Sequence, residues 1–170
     1  MKYLIFIIFS LVITGCASVD PGNRGVEVSW GGETNLNKIY PEGLNWGLHW
    51  LFDDMVEYDC KEKTEVNLFE FNDINSMETK VEISVDYQLD PSKVNLLHSK
   101  INDYETKLKK TIKSAAAEVI PKYGAVDLNL TKRGDVESKL FNILQKELPE
   151  FYLKLARVQI TDVDLPKEIA

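Results

Sequence analysis

Residues 80–89 alternate without interruption, with Val81, Ile83, Val85, Tyr87 and Leu89 in one phase and Lys80, Glu82, Ser84, Asp86 and Gln88 in the other. A side-chain period of two is the signature of an extended strand with one apolar and one polar face. A parallel sheet buries both faces and reads as a continuous apolar run, so this alternation predicts an antiparallel sheet covered on a single side. Further strands are expected around it. Val26 and Val28 alternate with polar residues before a Gly31-Gly32 turn, and Pro41-Glu42-Gly43 marks a second turn. Strands are also expected at Met55–Tyr58 and Thr64–Phe71. In the latter Val66 and Leu68 share a face, and turn-formers follow at Asn72–Ser76.

Helical periodicity takes over after Asp90-Pro91, read as a helix start whose inward face carries Val94, Leu97 and Ile101. Asn102 and Glu105 have the spacing of a capping box opening a second helix. Its apolar arc is Tyr104, Leu108, Ile112, Ala115, Val119 and Tyr123, with Lys109, Lys110 and Lys113 on the solvated side. Pro121 ends or kinks that helix. A third helix is expected from Thr131 to Leu148, turning Val136, Leu140, Ile143 and Leu144 inward. A closing strand holds Val158 and Ile160, then Val163 and Leu165, and the slip in phase predicts a β-bulge near Thr161-Asp162. Strands, then helices, then a returning strand make the class α+β: a largely antiparallel sheet packed against about three helices.

Ahead of these elements, residues 1–16 read as an address rather than as part of a fold. Lys2 supplies a positive start, Leu4 to Ile13 is an apolar run broken only by Ser10, and Thr14-Gly15 places small residues before Cys16. The run is too short to cross a bilayer but has the length of a signal-peptide core. The pattern resembles a bacterial lipobox, which makes residues 1–15 a cleaved leader and Cys16 the lipidated N-terminus. The alternative is an ordinary secretory leader with a chance cysteine. Small, polar, Pro/Gly-containing residues at 16–24 are expected to form an acylated tether, with the domain spanning 25–170. Ala17 follows Cys16 where Asp would typically hold a lipoprotein in the inner membrane, which favours the outer membrane in a host that has one.

The chain of 170 residues carries 20 Lys+Arg against 27 Asp+Glu, a net charge of −7. Such a balance repels phosphate backbones and argues against nucleic acid as a partner. It also gives no general attraction to anionic lipid, leaving the acyl group as the main membrane contact. With Cys16 lipidated, Cys60 is alone: it is expected to be buried, and pairs between chains only if exposed. Neither His49 nor His98 belongs to a metal-binding spacing, and no nucleophile elbow, P-loop or dinucleotide fingerprint occurs. Asp53-Asp54 lack further oxygen ligands at regular spacing. The expectation is a non-enzymatic protein without metal or cofactor.

Several segments, in order, resemble the SPFH or Band 7 domain of stomatins, prohibitins and flotillins. They are Gly25-Val26-Glu27-Val28, Pro41-Glu42-Gly43-Leu44-Asn45-Trp46, and Tyr87-Gln88-Leu89-Asp90-Pro91. Then come the alanine-bearing Ser114–Val119, Lys122-Tyr123 to Leu128, Arg133-Gly134-Asp135-Val136-Glu137, and Asp162-Val163-Asp164-Leu165-Pro166. The set runs from about residue 23 to 168. Three departures stand out. A proline usual after the Pro-Glu-Gly-Leu element is absent near His49, the membrane attachment looks like an exported lipid anchor, and the long charged helix that follows the domain in the family is not seen before Ala170. Assembly through that helix is therefore not expected.

The resemblance implies a membrane-bound scaffold or regulator of membrane-protein complexes, membrane-bound AAA+ proteases among them. The alternative is a monomeric envelope module recognising one protein or ligand. Trp46, Leu48, Trp50 and Phe52 are the membrane- or partner-contact candidates, because tryptophan is enriched at bilayer interfaces and binding hot spots. The competing role is core filling, which is expected for Trp46 and left open for Trp50.

Overall fold

The computed structural model describes residues 15–48 and 53–164. Residues 1–14 of the expected 1–15 leader, the residues His49, Trp50, Leu51 and Phe52, and the stretch from Leu165 onward lie outside the described residues. The chain is α+β as expected, with strands first, helices after and a returning strand. It divides into two compact units, one taking in the chain up to Lys61 with Leu89–Asn102, the other Glu62–Gln88 with Asp103 onward.

The first unit opens with a strand the sequence did not announce. Residues Gly15–Val19 form β1 and pair antiparallel with β3, Gly43–Leu48. The stretch expected to be a tether therefore begins in a sheet. Its remainder is pinned too, because Glu57 accepts from the Asp20 amide at 3.0 Å and the Asn23 side chain at 2.9 Å, and Glu42 accepts from the Gly22 amide at 2.7 Å. β2, Asn23–Ser29, pairs antiparallel with β4, Asp53–Asp59. Helix α1 spans Val94–Lys100 and starts three residues later than Pro91 proposes. The Asp90 carboxylate takes the amide and hydroxyl of Ser92 at 3.0 and 2.7 Å, folding an Asx turn where the first helical turn was expected. Val94 and Leu97 are buried as read from the sequence. α1 is stitched to the N-terminal segment by Asn95, which donates to the carbonyl of Leu36 in the β2–β3 connection at 2.7 Å, and by His98, whose Nδ1 shares a 2.7 Å hydrogen bond with Tyr58 on β4.

In the second unit β5, Lys63–Asn72, and β6, Glu78–Leu89, form a hairpin, and β7, Leu153–Asp164, adds on the far side of β6. Val81, Ile83, Val85, Tyr87 and Leu89 are all buried, which satisfies the alternation. The expected wet face is not wet throughout: Ser84 and Asp86 are buried as well. As the central strand, β6 is flanked by side chains that cover its polar groups. Asp86 accepts the Thr64 hydroxyl at 2.7 Å and pairs with Arg157 Nε at 3.2 Å. On β5, Val66 and Leu68 do share a face, but it is the exposed one, and Asn67 and Phe69 point inward. Register decides this by setting Phe69 opposite Val81 and Asn67 opposite Ile83.

Helix α2, Tyr104–Val119, buries Leu108, Ile112, Ala115 and Val119, and leaves Lys109, Lys110 and Lys113 exposed. Its cap is Asp103 rather than Asn102, with the carboxylate accepting from the Thr106 amide at 2.9 Å. A carboxylate at a helix N-terminus also meets the positive end of the dipole, an advantage the neutral Asn102 lacks. Pro121 sits in a 3₁₀ turn, Ile120–Lys122, that ends the helix. A π-helical turn, Asp127–Thr131, then leads into α3, Arg133–Glu147, which buries Val136, Leu140 and Leu144. Along β7, Val158 and Ile160 are buried, then Val163, so the inward phase slips by one residue at Thr161-Asp162 as anticipated.

Two motifs of the sequence acquire physical roles here. Arg133 and Glu137, one turn apart on α3, clip the backbone of β7: Arg133 Nε donates to the Ile160 carbonyl at 2.9 Å, and Glu137 accepts from the Ile160 amide at 2.9 Å. They occupy the groups that an added strand would otherwise seek. In the β5–β6 turn, Asp73 is a buried acceptor. Its oxygens take the amides of Asn75 and Met77 at 2.8 and 2.9 Å and the amide of Ala125 at 3.2 Å.

Candidate functional site

Of the residues singled out for lipidation or membrane contact, Cys16, Trp46 and Leu48 lie in the β1/β3 sheet. Cys16 lies directly opposite Trp46, and Ser18 opposite Leu44. Directly opposed residues of an antiparallel pair project from the same face, so Cys16, Ser18, Leu44 and Trp46 form one surface. That surface is open: Cys16 is exposed, Leu44 is 58% exposed and Trp46 is 67% exposed. Trp46 is therefore not a core residue, contrary to expectation. Its parity follows from the register with β1, which no local pattern in the sequence reveals. Leu48 ends β3. Trp50 and Phe52 fall outside the described residues.

The other face of β1 explains why this strand is held. Val19 is 1% exposed and packs with the buried Tyr40, joined by the partly buried Ala17 and Met55. Tyr40 is in turn fixed from two sides. Its backbone exchanges two 2.9 Å hydrogen bonds with Gly25, and its hydroxyl donates to Glu27 at 2.8 Å. Burial, with that carboxylate alongside, pushes the Tyr40 hydroxyl up to about 12, so it stays a donor at every ordinary pH. The Glu57 carboxyl is held below the usual range by the Asp20 amide and the Asn23 side chain.

Gly25 makes this seat possible. A Cβ there would come within 2.9 Å of Val19 Cγ2 and 3.2 Å of Tyr40 Cβ, and would also press on the Met55 sulfur. The thioether can swing away, but the valine methyl and the tyrosine stem are packed. Gly25→Val is therefore expected to cost about 2 kcal/mol by overpacking and to unseat β1. Chemical denaturation measures the first effect, and faster hydrogen exchange at Ala17 and Val19 reads the second.

The remaining candidates do not join this site. Cys60 is buried, its thiol 3.5 Å from the Tyr58 carbonyl and its amide bonded to Gly22. His98 serves the Tyr58 hydrogen bond, and burial raises the Tyr58 hydroxyl. Asp53 and Asp54 sit on β4 opposite Ser29 and Val28. Among the described residues no group of three His, Cys, Asp or Glu side chains is arranged to hold a metal ion. Also among them, no helix is long and apolar enough to cross a membrane. A shallow cleft of about 560 Å³, missed by the sequence reading, lies between α3 and β7, lined by Glu137, Phe141, Asn142 and Arg157 among others. Its only sequence signal was the Arg133–Glu137 segment that borders it.

A model of the SPFH domain / Band 7 family matches residues 17–170, starting one residue after Cys16. No curated protein matches the chain.

Proposed function

Because the chain belongs to the SPFH domain / Band 7 family, whose members associate with membranes and with other proteins, we propose that it is a lipid-anchored, non-enzymatic scaffold or regulator of membrane-protein complexes on the outer side of the cytoplasmic membrane. The observation that carries this reading is the position of Cys16. The last residue of a lipobox sequence is exposed on a strand that leads without a break into the family domain. Ala17 favours the outer membrane where the host has one. Organising membrane microdomains and restraining membrane-bound AAA+ proteases are the two roles that the family resemblance implies.

The cleft between α3 and β7 favours a second reading, a monomeric envelope module that recognises one partner. Crosslinking in intact cells, followed by sizing in mild detergent, separates the two. The scaffold gives species larger than a dimer, containing this chain together with membrane proteins. A clean monomer that carries a single crosslinked partner overturns the scaffold in favour of the module.

A further inference from the structure

We propose that the Cys16/Trp46 face of the β1/β3 sheet lies directly on the lipid surface, with Leu44 and Trp46 inserted into the interfacial layer beside the acyl chains. The proposal rests on lipidation of Cys16 and goes beyond it in fixing how the first unit meets the bilayer. A lipid anchor normally leaves its domain free to tumble on a linker. Here no residue intervenes between the anchor and the first strand, since Cys16 itself is paired with Trp46. Acyl chains attached to an exposed Cys16 Sγ leave from the face that carries Trp46 and Leu44. Wherever the bilayer receives those chains, this face is against it.

The chemistry of the face fits that occupant. Tryptophan and leucine, 67% and 58% exposed, offer an amphipathic ring and an aliphatic wedge, the pair suited to the headgroup–acyl boundary. The ionic groups at the β1–β2 corner carry both signs, Glu42 and Glu57 accepting from the Gly22 and Asp20 amides and Lys61 lying with its stem against Gly22, in a chain whose net charge is −7. Attraction to anionic lipid is thus not the driving force, and insertion is expected to be insensitive to salt. Strand β1 is held rigidly enough to impose the orientation, because Val19 is buried against Tyr40 on the reverse face.

The test uses the full chain, produced with its own leader in a bacterial host and purified from membranes. Intact mass first establishes whether Cys16 carries lipid. The protein is then reconstituted in phosphatidylcholine–phosphatidylethanolamine vesicles whose acyl chains are brominated near the headgroup end. Tryptophan emission is compared between wild type and Trp46→Phe, a conservative change at an exposed position, so that the difference reports Trp46 alone. The expected result is a Trp46 component quenched by bromine, shielded several-fold from acrylamide, and unchanged by salt. Leu44→Glu is expected to reduce the bromine quenching about twofold or more by lifting the ring from the interface. A lipidated protein whose Trp46 stays open to acrylamide overturns the proposal and leaves the anchor intact. An unmodified Cys16 thiol overturns both.

Discussion

Cys16→Ser is expected to abolish fatty-acid labelling and to leave either a soluble protein or a precursor that keeps its leader. A serine hydroxyl cannot form the thioether, and the remaining membrane contact is too small to compensate. On the proposed anchor, two acyl chains with about 30 methylenes between them would contribute on the order of 20 kcal/mol of membrane affinity. Exposed Leu44 and Trp46 together would contribute only about 3 kcal/mol if partly buried in the interface. The shift from pellet to supernatant should therefore be nearly complete once the leader is removed. Incorporation of labelled palmitate, intact mass and fractionation check it. Unchanged membrane retention of a cleaved Cys16→Ser chain would contradict the anchor.

Asp73→Ala is expected to cost about 4 kcal/mol of stability, measured by chemical denaturation. The substitution leaves the amides of Asn75, Met77 and Ala125 without their acceptor. Hydrogen bonds to a charged group contribute about 1.5–3 kcal/mol each, and abandoned buried donors carry the larger share of the loss. Asp73→Asn keeps one acceptor oxygen and should lose roughly half as much. A pH dependence accompanies this. Burial opposes ionisation of Asp73, but the amides of Met77, Ala125 and Asn75 outweigh it and hold the carboxyl below its ordinary 3.8. A depressed folded-state value means that the stabilisation is fully present above the unfolded value. It is lost as pH falls through 3.8 and then through the folded-state value beneath it. The acid limb of the wild-type stability curve should flatten in Asp73→Ala. An unaltered acid limb would assign the limb to other carboxylates.

Much of the second unit was legible because regular burial imposes regular periods. The alternation at 80–89 and the inward arcs of α2 and α3 follow from strand and helix geometry, and every residue named on the alternating phase is buried. Choices between neighbouring solutions were not legible. Asn102 and Asp103 are both competent caps, and only the structure shows the Thr106 amide turning to Asp103. Alternation in β5 announced a strand without saying which face turns inward. Phe69 takes the interior because the hairpin register sets it against Val81. The family resemblance identified the Arg133–Glu137 segment, but its purpose, a clip on the Ile160 backbone, needed the two elements in place.

The candidate surface was half legible. Cys16 is marked by its own sequence context, and the aromatic stretch around Trp46 was noticed. That the two face each other was hidden, because β1 is short, built of small residues, and has no period of its own. Its pairing is dictated from afar, by the hollow that Gly25 leaves for Val19 beneath Tyr40. The same hidden register turned Trp46 outward and reversed the expectation that it fills the core.

The first unit is assembled from two separate lengths of chain, with Glu62–Gln88 passing through the second unit in between. A polypeptide delivered from its N-terminus, whether by a ribosome or through an export channel, therefore presents β1–β4 well before α1 emerges to complete them. Until Asn95 and His98 arrive, Leu36 and Tyr58 have no helix to bind. The early strands spend that interval as an unfinished surface, the kind of nascent edge that folding helpers shield and that housekeeping proteases cut.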